Sequence, residues 1–205
     1  MLVIVDYDAG NLRSVVRAVE HAGGVPTVSS DPRDLRRADA VILPGVGAAA
    51  QAMHKLADLG LDDALRDVVA RGIPLLGVCM GLQLLLEHSE EGEEGGTPCL
   101  GLLQGRVRRF PPGLKSPHMG WNTVAFQQPT PFFQGISDNS YFYFLHSYYA
   151  DPPAETVVGL TDYVTPFCAA LVHDTILATQ FHPEKSGPDG LRLYANFLQL
   201  AGQCC

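Results

Sequence analysis

The chain contains 205 residues, of which 46% are hydrophobic and 18% are charged. This length predicts one sizeable domain, since domains commonly contain about 100–200 residues, and the composition excludes a disordered or collagen-like chain. Lysine and arginine number 14 and aspartate and glutamate number 22, which gives a formal net charge of −8. We expect no nucleic-acid partner, because contacts with a phosphate backbone require a basic surface.

Two apolar stretches without a charged residue span residues 40–54 and 72–86, and each contains proline and glycine. Both are shorter than the roughly 20 apolar residues that a transmembrane helix needs. No basic segment or small-residue cleavage site precedes the first apolar run. These features predict an unprocessed, cytoplasmic protein that does not bind a membrane.

The first half of the chain alternates short apolar runs with helical periodicity. Residues 2–5 predict a strand, and the apolar residues at 12, 15, 16 and 19 follow the spacing of one helical face. The pattern continues with strand runs at residues 25–28, 40–43 and 73–76 and helical patterns at residues 61–69 and 82–86. Repeated βα units whose strands are apolar on both sides predict a parallel sheet with helices on both faces.

The second half of the chain has a different sequence pattern. Residues 87–98 are acidic and rich in glycine, which predicts a solvated loop without a function. Short alternating segments separated by proline and glycine then predict antiparallel strands at residues 106–110, 121–126, 141–145, 156–160 and 168–171, and residues 177–181 predict a further strand. Residues 191–198 predict a closing amphipathic helix, and the whole chain, residues 1–205, is expected to form one α/β domain.

The sequence Gly77-Val78-Cys79-Met80-Gly81 has the form Gly-x-nucleophile-x-Gly and lies between a predicted strand and a predicted helix. In that setting the nucleophile occupies a sharp turn at the carboxyl edge of the sheet. The adjacent helix N-terminus favours the thiolate, and the Met80 N–H is available to an oxyanion. The alternative is that Cys79 only packs between the strand and the helix.

A second candidate lies near the end of the chain, where His182 follows a predicted strand and precedes Pro183-Glu184. Glu184 is close enough in sequence to fix the imidazole tautomer, as the third member of a catalytic triad does. Alone, the segment could equally be a surface His-Pro turn, but together with Cys79 it predicts nucleophilic catalysis. No zinc-ligand spacing is present, and the remaining cysteines are expected to be small buried or tail residues: Cys99, Cys168, Cys204 and Cys205.

Taken together, these segments resemble the class I, triad-type glutamine amidotransferases, and most closely the branch that forms the glutaminase subunit of imidazole glycerol phosphate synthase. The resemblance covers essentially the whole chain and is carried by residues 6–11, 43–47, 77–81, 117–122, 145–148 and 182–185. Two positions depart from the family pattern: many relatives carry glycine at Asp8 and phenylalanine at Ala49.

The resemblance implies that Cys79 attacks the side-chain amide of L-glutamine and forms a glutamyl thioester. His182 transfers the protons and Glu184 orients it, so that glutamate and ammonia are released without a metal or an organic cofactor. It further implies an oxyanion hole formed by Val46, Gly47 and Met80, and glutamine-binding residues Gly45, Gln83, Ser147 and Tyr148. Gln83 is also four residues beyond Cys79, on the same helical face.

The resemblance implies a partner as well, a (βα)8-barrel cyclase that receives the ammonia and forms imidazole glycerol phosphate and an aminoimidazole carboxamide ribonucleotide in histidine biosynthesis. The residues expected to face it are Asn11, Trp121, Tyr143 and Lys185. Three alternatives stay open: the glutaminase subunit of another amidotransferase, a stand-alone cysteine hydrolase or peptidase, and a binding subunit without catalytic activity.

Overall fold

A computed structural model describes residues 1–8, 10–113 and 115–202 of the chain. Three residues considered above, Ala9, Cys204 and Cys205, lie outside the described residues. Within these ranges no helix is both long enough and apolar enough to cross a membrane.

The described residues form six α-helices, and their order along the chain is that of repeated βα units in the first half. The helices are Leu12–His21 (α1), Pro32–Arg37 (α2), Ala49–Asp58 (α3), Leu61–Ala70 (α4), Met80–Leu85 (α5) and Gly187–Leu200 (α6). Three short 3₁₀ helices cover Pro131–Phe133, Ala154–Thr156 and Pro183–Lys185.

The strands range from two to eight residues. They are Leu2–Val5 (β1), Pro26–Ser29 (β2), Ala40–Leu43 (β3), Leu75–Val78 (β4), His88–Ser89 (β5), Thr97–Pro98 (β6), Arg106–Arg109 (β7), His118–Thr123 (β8), Ala125–Phe126 (β9), Tyr141–His146 (β10), Tyr148–Asp151 (β11), Val157–Asp162 (β12), Pro166–His173 (β13) and Ile176–Thr179 (β14).

The central sheet has the order β2-β1-β3-β4-β14-β13-β11-β7-β5-β6, with β12 and β9 added beside β13. Its first five strands are parallel, and β13, β11 and β7 continue it in antiparallel pairing. Strands β8 and β10 form a separate antiparallel ribbon. The predicted α/β fold, a mostly parallel sheet with flanking helices and added antiparallel strands, is confirmed.

Apart from the edge strand β2, the strands of the parallel part are buried on both faces. On one face Val3, Val41 and Leu75 pack with buried residues of α2, α3 and α4. On the other face Ile4 and Ile42 pack with buried residues of α1 and α6 and with a group of phenylalanines. The sheet is therefore enclosed between two helical layers, and only its edges are available for chemistry.

Two helices were not predicted, α2 and α3. Helix α2 has only six residues and begins with Pro32 after an Asp31 cap that accepts a hydrogen bond from the Arg33 N–H. Helix α3 buries Ala49, Ala52 and Leu56, so two of its three buried positions carry only a methyl group. Short length and small side chains leave little hydrophobic periodicity, which is the main signal available in a sequence.

The turn between β4 and α5 depends on close contact of backbones. An added Cβ atom at Gly81 would lie 1.9 Å from the Leu43 carbonyl oxygen, and one at Gly77 would lie 3.0 Å from the Leu82 nitrogen. The glycines that frame Cys79 are therefore required for α5 to approach β3 and β4.

Replacing Gly81 with alanine should destabilise the protein, because the obstacle is a backbone carbonyl that cannot rotate away. Overpacking of a core costs roughly 1–3 kcal/mol, and a backbone contact this short should cost at least the upper value. For a chain of this size we expect the melting temperature to fall by roughly 6–12 °C. Thermal melting followed by circular dichroism measures the change.

The matched control is Gly113→Ala, whose added methyl group would meet only the Val164 Cγ1 atom, at 3.0 Å. Its melting temperature should stay within about 2 °C of the wild-type value, as is usual for surface substitutions. A Gly81→Ala protein as stable as this control would contradict the close packing of α5 on β3.

Candidate active site

Cys79 occupies the turn that joins β4 to α5, with φ 54° and ψ −105°. A residue other than glycine with a positive φ is strained by about 1–3 kcal/mol and persists only where its surroundings enforce it. Here the Cys79 N–H donates to the Thr179 carbonyl of the neighbouring strand β14 at 2.7 Å. The predicted nucleophile turn is thus present, and it holds the thiol at the carboxyl edge of the parallel sheet.

His182 and Glu184 reach the same edge from the segment that follows β14. The His182 Nδ1 atom is 2.9 Å from Glu184 Oε1, and the two side chains are only 2% and 1% exposed. Because the carboxylate accepts, Nδ1 carries the proton and the other ring nitrogen is left to act on a substrate. That Nε2 atom is buried and has no hydrogen-bond partner of its own among the described residues.

The charge of His182 is set by two opposing effects. Burial lowers its pKa, whereas the negative charges of Cys79 and Glu184 raise it, and the net result is a pKa of about 10. The imidazolium form is therefore favoured while the thiolate is beside it. A histidine whose protonated form is favoured beside a cysteine is the arrangement by which cysteine enzymes activate their nucleophile.

Two glutamines complete the surroundings of the thiol. Gln180 Nε2 lies 3.7 Å from Cys79 Sγ, in a position to donate to it, while Gln180 Oε1 accepts from Gln83 Nε2 at 3.0 Å. Gln83 is buried rather than on a helix surface, and it also donates to the Tyr148 carbonyl at 2.8 Å. Sequence reasoning missed Gln180; its position two residues before His182, on the same side of an extended segment, was the available signal.

A cavity of about 220 Å³ opens beside the thiol. Most of the residues predicted to catalyse, to form the oxyanion hole or to bind substrate line it together: Val46, Gly47, Cys79, Met80, Gln83, Ser147, Tyr148 and His182. Its other lining residues are Glu91, Pro117, Leu145 and His146. Gly45 is not among them, because it packs beneath the cavity wall, where an added Cβ atom would lie 2.3 Å from the Tyr7 hydroxyl.

Glu91 lies in the acidic segment that was predicted to be a solvated loop without a function. Instead the segment contains the short strands β5 and β6, and the Glu91 side chain lines the cavity. Its Oε2 atom accepts a hydrogen bond from the Ala49 N–H at 2.7 Å, at the start of α3, where Ala48 has no side chain that could cap the helix. The acidic run has several glutamates, so the sequence could not indicate which of them reaches the site.

The residues predicted to face a partner fall into two groups. Trp121 and Tyr143 are cross-strand neighbours on the β8–β10 ribbon with ring centroids 6.1 Å apart, and Lys185 Nζ lies 5.6 Å from the Tyr143 ring centroid. Trp121 is 55% exposed, so it is not a core tryptophan. Asn11 belongs to the active site, since its Nδ2 atom donates to Glu184 Oε1 at 2.9 Å.

Two other described cysteines have ordinary structural positions. Burial raises the pKa of Cys99 to about 11 and that of Cys168 to about 12, so both remain thiols at neutral pH. The described ranges contain no group of three or more histidine, cysteine, aspartate or glutamate side chains arranged to hold a metal ion.

Comparison with known proteins identifies the family. The family model described as glutamine amidotransferase class-I matches residues 3–200. A relative from Dehalococcoides mccartyi strain CBDB1, named imidazole glycerol phosphate synthase subunit HisH, is 49% identical, with 98% of each chain covered. A relative of the same name from Methanosarcina acetivorans is 46% identical, over 97% of this chain and 98% of its own.

Solved structures show the same fold at lower identity. One, described as a glutamine amidotransferase, superposes with a TM-score of 0.76 at 23% identity and 98% coverage of both chains. Another, described as PurLQS from Thermotoga maritima, has a TM-score of 0.73 at 19% identity, with 97% of each chain covered. With a family model matched over nearly the whole chain and relatives close to 50% identical, this chain belongs to the class-I glutamine amidotransferase family.

Proposed function

We propose that this chain, as a single domain over residues 1–205, is the glutaminase subunit of a cytoplasmic imidazole glycerol phosphate synthase. The observation that carries the proposal is that Cys79 and His182 line one cavity of about 220 Å³, while His182 is held by a hydrogen bond to Glu184. A space of that size accommodates a single amino acid. The names of the relatives, which are about 46–49% identical over the full chain, support the choice of enzyme.

The proposed reaction begins with attack of the Cys79 thiolate on the side-chain amide carbon of glutamine. His182 holds the thiol proton on Nε2 and gives it to the departing nitrogen, so ammonia leaves as the carbon–nitrogen bond breaks. The remaining glutamyl thioester is attacked by water, whose proton returns to His182, and glutamate is released with the thiolate restored. Glu184 keeps the ring in one orientation throughout through its 2.9 Å hydrogen bond.

Each tetrahedral intermediate places a negative charge on the former amide oxygen. Met80 begins α5 directly after the nucleophile, so its N–H is the first candidate donor to that oxygen. Val46 and Gly47 line the same cavity and supply the candidates for the second donor. Gly47 has a φ of 97°, a conformation that an L-residue with a side chain rarely adopts, so glycine is required at this wall.

The amino-acid end of glutamine carries one positive and one negative charge, and the cavity offers groups for both. Glu91 contributes a carboxylate to the lining, which suits the α-ammonium group. Ser147 and Tyr148 lie at the junction of β10 and β11 in the same lining and suit the α-carboxylate through N–H and hydroxyl donors. Gln83 connects the Tyr148 side of the cavity with the surroundings of the thiol, because it donates to both the Tyr148 carbonyl and Gln180.

The outer surface of the β8–β10 ribbon supports a partner close to the active site. Met119, Trp121 and Tyr141 are large apolar side chains that are each more than half exposed, and such a patch on a domain indicates an interaction surface. Leu145, the cross-strand neighbour of Met119, lines the cavity. A barrel cyclase bound at this patch would be adjacent to the point at which ammonia forms.

Replacing Cys79 with alanine should abolish glutamine hydrolysis, because the attacking sulfur is lost. Ammonia-dependent synthesis by the complex with the cyclase should persist at the wild-type rate, since only the supply of ammonia is removed. Glutamate release and imidazole glycerol phosphate formation are measured in parallel. Residual glutamine turnover at the wild-type rate would contradict the assignment of the nucleophile.

Cys168→Ala is the matched control, because it removes a buried core thiol that donates to the Ala170 carbonyl and is not among the residues that line the cavity. It should keep glutaminase activity within about two-fold of wild type, with a modest fall in melting temperature from the lost packing.

Trp121→Ala should weaken association with the cyclase roughly ten-fold or more, as expected for a large aromatic residue at the centre of an interface. Lys185→Ala should have a smaller effect in the same direction, since a flexible ammonium group at the rim contributes less. Titration against the cyclase measures the dissociation constant, and thermal melting of the isolated chain measures stability.

Leu59→Ala is the control for these variants, because Leu59 is an exposed apolar residue at the end of α3. It should leave association unchanged. A large loss of stability in Trp121→Ala with unchanged association would show that Trp121 has a structural role instead.

The isolated chain should hydrolyse glutamine slowly and be activated by the cyclase and its ligand. The peptide between Gly45 and Val46 supplies the second oxyanion donor only when its N–H points into the cavity, and loss of one such donor lowers kcat by about 10² to 10³. Steady-state hydrolysis is compared for the isolated chain, the complex, and the complex with a cyclase ligand. Equal rates in all three would contradict this control of the oxyanion hole, while equal rates of Cys79 alkylation by iodoacetamide would be compatible with it.

A further inference from the structure

Two histidines that the proposed mechanism does not use lie buried against the active site. His118 on β8 and His146 on β10 are directly opposite each other on the inner face of the ribbon and are only 4% and 6% exposed. His146 also lines the cavity beside Cys79. Two buried polar rings in contact with each other, one of which lines the cavity, require a reason beyond packing, since apolar side chains would fill the same space without burying polar atoms.

The hydrogen bonds of the pair have one consistent direction. His146 Nδ1 lies 2.8 Å from the Tyr148 carbonyl oxygen, which can only accept, so Nδ1 carries the proton. His146 Nε2 must then accept from His118 Nδ1 at 3.1 Å. His118 Nε2 in turn accepts from Asn122 Nδ2 at 3.3 Å. Asn122 thus donates to His118, His118 donates to His146, and His146 donates to the Tyr148 carbonyl. We call this series of three hydrogen bonds the histidine relay.

The orientation of Asn122 is fixed independently of the relay. Its Nδ2 atom also donates to the Asp162 carbonyl at 2.8 Å, and its Oδ1 atom accepts from the Thr123 N–H at 2.8 Å. A flipped amide would place an oxygen against the Asp162 carbonyl. The first donor of the relay is therefore determined by backbone groups outside it.

The relay requires both rings to be neutral, because a proton on His146 Nε2 would face the proton on His118 Nδ1. Burial lowers the pKa of His118 to about 4 and that of His146 to about 3. His118 is stacked between Tyr163 and Phe144, with centroid distances of 4.1 and 4.9 Å. This apolar enclosure keeps the relay in one protonation state at neutral pH.

The end point of the relay is shared with the active site. The Tyr148 carbonyl accepts from His146 and also from Gln83 Nε2. Gln83 in turn bonds Gln180, whose amide lies against the Cys79 sulfur. A carbonyl held from two sides fixes both the Tyr148 backbone and the Gln83 side chain, and both line the cavity.

We propose that His118 and His146 are positioning residues for glutamine binding, which act by fixing the Tyr148 carbonyl and the Gln83 amide through a directional relay of hydrogen bonds. This inference rests on the proposed glutaminase function of the cavity. The rings do not take part in bond making or breaking, so their loss should change the binding of glutamine more than the reactivity of the thiol.

The test compares His118→Phe with His118→Asn in the complex with the cyclase. Phenylalanine keeps the aromatic packing but removes the donor, whereas the asparagine amide nitrogen takes the place of Nδ1 and keeps it. We expect His118→Phe to raise the KM for glutamine roughly ten-fold, because it leaves a buried acceptor on His146 without a partner. His118→Asn should stay within about three-fold of wild type even if its melting temperature falls.

Two further measurements separate positioning from a general structural effect. The rate of Cys79 alkylation by iodoacetamide, a reagent without an amino-acid end, should be unchanged in both variants. Phe167→Leu disturbs the same aromatic enclosure, since its ring lies 5.8 Å from that of His118 and 5.1 Å from that of His146. It should lower the melting temperature without changing the KM for glutamine.

If His118→Phe does not fold, His118→Gln replaces it. Glutamine is as polar as asparagine but places its amide at the position of Nε2, so the donor to His146 is lost and KM should again rise about ten-fold. An unchanged KM in the donor-free variant, or an equal rise in Phe167→Leu, would overturn the relay while leaving the glutaminase function intact. Absence of glutamine-dependent turnover in the wild-type complex would overturn the proposed function, and the relay with it.

Discussion

The chemistry of this protein depends on the parallel pairing of β4 with β14. The register places Val78 opposite Thr179, so the residues that follow, Cys79 and then His182, leave the sheet at the same edge. The hydrogen bond from the Cys79 N–H to the Thr179 carbonyl extends that pairing by one step into the turn. The proposed nucleophile and its proposed base, more than a hundred positions apart in sequence, are thereby brought to one edge by backbone pairing, before any side-chain contact is considered.

The site built on this edge concentrates opposite charges where water is excluded. His182 and Glu184 are almost fully buried, and an isolated charge at such a depth would be strongly disfavoured. The buried His182 and Glu184 side chains bond each other, and Asn11 and Gln180 donate further hydrogen bonds to Glu184 and to the Cys79 sulfur. Because the arrangement is fixed before substrate binds, little reorganisation is needed as charge moves from sulfur to the substrate oxygen.

The β8–β10 ribbon connects this site with the outside of the protein through its two faces. Alternation along the strands directs Trp121 and Tyr143 outward and His118 and His146 inward, so one short ribbon carries both an apolar patch and a buried polar relay. The ribbon is separate from the central sheet, and its inner face is held by aromatic packing. A partner bound to the outer face would therefore contact the same two strands whose inner face carries His146, a residue that lines the cavity.

The sequence by itself determined the parallel βα core and the position of the turn at Cys79, and it predicted the triad, because these follow from local periodicity and from short motifs such as Gly77–Gly81. It also placed most of the residues that line the cavity, through the resemblance of separated segments to one family. Only the tertiary structure decided that Glu91 reaches the cavity, that Asn11 bonds Glu184, and that Gln180, His118 and His146 surround the site. Those contacts join side chains that are distant in the chain, and no local pattern encodes a distance that strand pairing and packing create.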